Sequence, residues 1–88
     1  MSASWRKLQP AGSTTKSWKT CDVAWDGTNV RMIAGVWGGR LYYYNGTSWS
    51  EVQPAGNNDK YWITSAIAFD GTNTRILAGV NGGRLYYY

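Results

Sequence analysis

Few residues in this 88-residue chain can do chemistry, and their spacing points away from catalysis. There is no histidine, and the five acids are Asp22, Asp26, Glu51, Asp59 and Asp70. Asp26 and Asp70 each open the sequence Asp-Gly-Thr-Asn, where a carboxylate caps its own turn, so both read as structural. No nucleophile stands beside a base, and no Gly-rich phosphate loop or metal-ligand cluster is present; Gly38-Gly39 reads as a turn. The single cysteine, Cys21, excludes an intrachain disulfide framework and a Cys-rich zinc site. Its counterpart in the second half of the chain is Ser65, so the position asks for a small side chain rather than a thiol. The expectation is a protein that is not an enzyme and that takes no cofactor and no metal. Asn45-Gly46-Thr47 is a glycosylation sequon, but a hairpin turn explains it better.

Binding is the better-supported chemistry. Polar and aromatic side chains gather in one irregular stretch, Ala11-Gly12-Ser13-Thr14-Thr15-Lys16-Ser17-Trp18, which returns as Ala55-Gly56-Asn57-Asn58-Asp59-Lys60-Tyr61-Trp62. Two Gly-Gly turns, Trp37-Gly38-Gly39-Arg40 and Asn81-Gly82-Gly83-Arg84, complete the set. Amide, hydroxyl and carboxylate groups beside aromatic rings suit a sugar, which needs directional hydrogen bonds around a CH-rich face stacked on a ring. The candidate ligand-binding residues are Lys16, Trp18, Trp37, Arg40, Asn57, Asn58, Asp59, Lys60, Trp62, Asn81 and Arg84. For Trp18 and Trp62 the competing role is packing between neighbouring structural units. Trp37 has Asn81 as its counterpart, which argues against an obligatory core position. Arg40 and Arg84 suit a ligand or an ion pair between units equally.

The bulk composition narrows the partners. Nine basic residues are scattered, with only Arg6-Lys7 adjacent, and the net charge is +4, so no nucleic-acid-binding run exists. No apolar run approaches a membrane span, and Met1-Ser2-Ala3-Ser4-Trp5 lacks a signal-peptide core. The chain reads as soluble, with no membrane partner and nothing that names a compartment. Six Trp, seven Tyr and eleven Gly favour strands and tight turns over helices.

The elements that must position these residues come from an internal repeat. Trp5 matches Trp49, Gln9-Pro10-Ala11-Gly12 matches Gln53-Pro54-Ala55-Gly56, and Asp26-Gly27-Thr28-Asn29 matches Asp70-Gly71-Thr72-Asn73. Gly38-Gly39-Arg40-Leu41-Tyr42-Tyr43-Tyr44 matches Gly82-Gly83-Arg84-Leu85-Tyr86-Tyr87-Tyr88, always at an offset of 44 residues and without a gap. Each unit reads as four short strands: 20–25 (64–69), 30–36 (74–80), 40–44 (84–88) and 48–53. Asp-Gly-Thr-Asn, Gly-Gly and Asn-Gly make the turns, and Pro54 stops the fourth strand.

The strand faces predict the architecture. Cys21, Val23 and Trp25 point one way and Ala24 the other; Leu41 and Tyr43 oppose Tyr42 and Tyr44. Strands apolar on both faces belong to sheets covered on both sides. Trp25 and Phe69 are expected to be buried between units. A four-stranded antiparallel unit of this length, packed face to face with its neighbours, is a β-propeller blade. Residues 4–9 read as an orphan outer strand, 18–53 as a complete first blade and 62–88 as a second blade lacking its outer strand. Since propellers have roughly four to eight blades, the expectation is a head-to-tail homo-oligomeric ring closed by strand exchange. Three chains with six blades is the expected ring, and four chains with eight blades is the alternative.

Asp-Gly-Thr-Asn, then Ala-Gly-Val-x-Gly-Gly-Arg-Leu-Tyr, then Asn-Gly-Thr-Ser-Trp resembles the blades of Asp-box and tachylectin-like propellers, over nearly the whole chain. Tyr44 stands where the Asp of an Asp-box would be. Two tandem repeats also resemble the two-repeat lectins that trimerise into six-bladed rings. That resemblance implies a multivalent carbohydrate-binding propeller. The alternative is a designed or truncated self-assembling propeller with no ligand of its own. Sialidases share this type of blade, but their arginine cluster and acid/base set have no match here.

Overall fold

The computed structural model describes residues 5–12 and 14–88, so Ser4 of the expected outer strand and Ser13 of the first loop lie outside the described residues. The chain is all-β, with seven antiparallel strands and no helix among the described residues. They are β1 (Trp18–Trp25), β2 (Val30–Gly39), β3 (Leu41–Tyr44), β4 (Trp49–Val52), β5 (Lys60–Phe69), β6 (Thr74–Val80) and β7 (Leu85–Tyr87).

Turn chemistry sets the order of pairing. In the β1–β2 hairpin the Asp26 carboxylate accepts the amides of Thr28 (2.8 Å) and Asn29 (2.7 Å), while Gly27 supplies the positive φ of 94°. Asp70 does the same for Thr72 and Asn73 between β5 and β6. Asn45 caps the β3–β4 turn by accepting from Thr47 and Ser48, which gives the sequon a structural role. Consecutive strands therefore fold back on each other, β1–β2–β3–β4 in the first repeat and β5–β6–β7 in the second. The registers repeat as faithfully as the sequence does: Val23 faces Met32 across β1–β2, and Ile67 faces Ile76 across β5–β6. Among the described residues, 5–9 pair with no strand, and Trp5 is fully exposed.

One feature breaks the symmetry. β2 runs on through Gly38-Gly39, where a turn alone was expected, because its end pairs with β5 at Trp37↔Tyr61 and Gly39↔Lys60. β6 stops at Val80, and Asn81-Gly82-Gly83 is a plain turn. The pairing also starts β5 four residues earlier than expected, at Lys60. Through it the two sheets become one continuous, curled seven-stranded sheet.

The core lies at the junction of the two repeats. Ile33 and Leu41 from the first sheet meet Trp62, Ile67, Ile76 and Ala78 from the second in one buried cluster. β1 lies against β5: Thr20 Oγ1 and Ser65 Oγ are 2.5 Å apart, and the Ile67 amide donates to Asp22 Oδ2 at 2.9 Å. A Cβ on Gly35 would stand 2.7 Å from Cγ2 of Thr20, its cross-strand partner, and 2.9 Å from Cβ of Trp62 in the second sheet. Glycine is the residue this approach requires.

The face assignment holds for β1, where Thr20, Asp22 and Ala24 are half-buried against β5 while Cys21, Val23 and Trp25 are exposed on the other side. Phe69 is half-buried at the junction. Trp25, expected to be buried, is 61% exposed because its face of β1 has nothing packed on it within the chain.

Candidate functional site

The β2–β3 connection and the loop leading into β5 converge on one edge of the molecule. There Lys16, Trp37, Arg40, Tyr42 and Asp59 line an open polar cavity of about 310 Å³. Its position follows from the local folding of its two sides. Gly38, at φ 76°, lets the chain reverse, and the Val36 amide donates to the Arg40 carbonyl to close the turn. The loop side starts from Gln53-Pro54-Ala55-Gly56, a β-turn in which the Gly56 amide donates to the Gln53 carbonyl at 3.1 Å. The earlier Gln9-Pro10-Ala11-Gly12 folds the same way, with Gly12 donating to Gln9 and both glycines at φ 87°.

Arg40 organises the polar side. Its Nε donates to Asp59 Oδ1 at 2.7 Å, and its Nη1 donates to Glu51 Oε2 at 2.9 Å and to Asn57 Oδ1 at 2.6 Å. Gln53 Nε2 donates to the same Glu51 oxygen, tying the end of β4 into the cluster. The hydrogen bond that Arg40 donates to Asp59 raises the Arg40 pKa above its ordinary value, so the guanidinium stays charged. Tyr42 also titrates above its ordinary range, chiefly because burial disfavours its phenolate.

Aromatic rings form the other wall. The Trp37 and Tyr61 rings pack with centroids 4.8 Å apart and planes tilted by 50°, and Lys19 Nζ lies 5.9 Å over the Trp37 ring. Trp37 remains 40% exposed despite these two contacts. Trp18 meets Tyr42 edge to face at 5.7 Å and is 41% exposed.

Of the residues singled out in the sequence, Lys16, Trp37, Arg40 and Asp59 therefore share one cavity, and Asn57 joins them through Arg40. Asn58 is exposed on the same loop, and Lys60 is half-buried in the pairing with Gly39. Trp62 lies elsewhere. It is 2% exposed, sits in the core and packs edge to face on Tyr86 at 6.1 Å, so its role is the packing one. Asn81 and Arg84 are exposed on the second sheet, away from this cavity. Glu51, Tyr42 and Tyr61 were not singled out from sequence. The alternation of β3 could have placed Tyr42 beside Arg40, and the antiparallel β3–β4 register could have placed Glu51 across from Tyr42.

A larger apolar cavity of about 470 Å³ lies between the sheets, lined by Ile33, Leu41, Tyr43, Ile76, Ala78 and Tyr86 among others. Several of these residues are the core cluster itself, so the cavity reads as incomplete packing. Among the described residues, no helix is long and apolar enough to cross a membrane, and no group of three or more His, Cys, Asp or Glu is placed to hold a metal ion. Comparison of the chain with protein-family models, with curated proteins and with solved structures finds no match.

Proposed function

We propose that this chain is a two-blade unit of a β-propeller that binds glycans at its rim, in a ring completed by further copies of itself. The observation that carries the binding half is the 310 Å³ rim cavity, where the partly exposed Trp37 side chain stands beside a charged hydrogen-bonding cluster. A pyranose would stack on Trp37 and direct its hydroxyls at Asp59, Asn57 and Lys16. The cavity sits where two repeats meet, so a ring would carry one such site per chain at the junction within it. Each site would be weak, because a monosaccharide offers little apolar area, and useful avidity would come from several sites engaging one surface.

Calorimetry and a broad glycan array test this reading. A sugar that binds the wild-type chain should lose binding in Trp37→Ala and Asp59→Ala while the circular dichroism spectrum and the mass stay unchanged. If no sugar on the array binds wild type at millimolar concentration, the glycan reading fails.

A second reading, assembly without a ligand, is favoured by one observation. Arg40 is already engaged by Glu51, Asn57 and Asp59, an internal network that has a structural use of its own in tying β4 and the loop to β3.

A further inference from the structure

The two repeats share most of their sequence and differ sharply in exposure, and the pattern of that difference has a direction. Ile33 and Leu41 are 0% and 1% exposed, yet their counterparts Leu77 and Leu85 are 43% and 68% exposed. Trp62 and Ile67 are 2% and 6% exposed, yet their counterparts Trp18 and Val23 are 41% and 60% exposed. The first repeat thus buries the face turned toward the second and leaves the opposite face open. The second repeat does the reverse. The open face of β5, with Thr64, Ala66 and Ala68, is the counterpart of the β1 face (Thr20, Asp22, Ala24) that is covered at the junction. The open face of β1, with Cys21, Val23 and Trp25, is the counterpart of the β5 face (Ser65, Ile67, Phe69) that covers it.

We infer that a second copy of this chain docks by repeating the internal junction, its β1 face of Cys21, Val23 and Trp25 seated on the β5 face of Thr64, Ala66 and Ala68. This rests on the reading that copies complete the ring, and it assigns the residues that touch. The contact at Thr20–Ser65 becomes Thr64 against Cys21 of the second copy. The hydrogen bond from the Ile67 amide to Asp22 becomes Val23 of the second copy against Ala66, which offers no acceptor, and the Val23 amide is already bonded to Oδ1 of its own Asp22 at 2.9 Å.

The same displacement places a strand. β3 pairs with β4 through Leu41↔Val52, Tyr42↔Glu51, Tyr43↔Ser50 and Tyr44↔Trp49. Moved by one repeat, these become Leu85 with Leu8, Tyr86 with Lys7, Tyr87 with Arg6 and Tyr88 with Trp5 of the second copy. The groups that would meet are the exposed ones: Leu85, Tyr87 and Tyr88 at 68–75%, Leu8 at 45% and Trp5 at 101%. The Tyr44–Trp49 ring contact at 5.3 Å would recur as Tyr88 against Trp5. β7 has one edge paired to β6 and the other open, so the added strand also satisfies its backbone. Strand and face belong to one contact between the same two copies, because in the chain itself the β4-to-β5 loop links an added strand to the next sheet in this order.

Cys21 makes the contact measurable without altering the protein. It is exposed in the isolated chain and would be covered by Thr64 of a neighbour. Labelling of wild type with a maleimide should run at least about tenfold slower in the assembled protein than in urea. A Thr64→Cys variant supplies the partner thiol. The internal Thr20–Ser65 contact at 2.5 Å between hydroxyl oxygens suits the roughly 3.5–4.5 Å Cβ separation of a disulfide. Oxidised Thr64→Cys should therefore give a ladder of covalent oligomers on a non-reducing gel, with no sugar present. An oligomer by light scattering whose Cys21 labels freely and does not cross-link overturns the face assignment but leaves ring closure standing. A monomer by light scattering overturns both. Loss of glycan binding has no bearing on either readout.

Discussion

Leu41 and Leu85 are the same residue in the same place of the repeat, and truncating each to alanine separates the fold from its assembly. Leu41 is 1% exposed at the junction of the two sheets, in contact with the cluster formed by Ile33, Trp62 and Ile76. Its removal loses the transfer energy of the side chain and leaves a cavity, about 2–5 kcal/mol for a buried leucine. Leu85 is 68% exposed and retains about a third of that burial, so in an isolated chain Leu85→Ala should cost only about 1 kcal/mol. If a second copy covers β7, Leu85 regains the environment of Leu41 and the two costs converge. The assay is equilibrium unfolding in urea, followed by tryptophan fluorescence across a range of protein concentrations, with the mass measured at each by light scattering. Where the chain is monomeric, Leu41→Ala should shift the midpoint about three times as far as Leu85→Ala. Where it is assembled, the shifts should match, and the midpoints should rise with concentration. Equal shifts in a demonstrated monomer, or a cost for Leu41→Ala below about 1 kcal/mol, would refute the burial argument at its root.

Gly35→Ala puts a methyl group 2.7 Å from Thr20 Cγ2 and 2.9 Å from Trp62 Cβ, so it should cost about 1–3 kcal/mol in thermal unfolding. In the isolated chain Gly79→Ala should cost less, since it meets Thr64 Cγ2 at 2.8 Å but no tryptophan; a Gly35→Ala protein that melts like wild type would contradict the close approach of Trp62 to Gly35. Turn amides of Asn29 and Asn73, then Arg31 and Arg75, lower the pKa values of Asp26 and Asp70 from 3.8 to about 2. Folded values below the unfolded ones mean stability that is fully present above about pH 4 and lost as pH falls through about 2. The Asp26→Asn/Asp70→Asn double variant should flatten that acid limb in a circular dichroism titration, and an unchanged limb would deny the turns their part in it.

The repeat and most strand positions were legible because they are written in local chemistry. Asp-Gly-Thr-Asn and Asn-Gly fix where the chain reverses, and period-two alternation in β1 fixes which side chains share a face. Tertiary events were not legible. Nothing in Trp37-Gly38-Gly39 distinguishes it from Asn81-Gly82-Gly83 as a turn, yet only the first extends a strand, because Lys60 and Tyr61 pair with it. Likewise Trp18 and Trp62 have equivalent places in the repeat, and one is a surface residue while the other is core solely because a neighbouring sheet covers it. At the rim, sequence placed Arg40 and Asp59 in one region through loop position. That Glu51 would share the same guanidinium required knowing that β4 lies beside β3 in that register.

The places where the two copies differ bear on what a ring would present. Residues that hold turns and ladders are retained between copies, so both junctions, internal and between chains, can share one geometry. Residues around the rim arginine are not retained. Arg40 is neutralised by Glu51 and Asp59, with Asn57 as a further acceptor. The positions one repeat earlier than Glu51 and Asp59 hold Lys7 and Thr15, and these are the groups a second copy would bring to Arg84. Arg84 would then stand beside a lysine with no carboxylate from those positions, and Asn81 would replace the indole of Trp37. A desolvated pair of like charges is unfavourable unless an anion joins it. The rim of a closed ring would thus alternate between an aromatic pocket inside each chain, where Arg40 meets carboxylates, and a more cationic one between chains, where Arg84 meets Lys7.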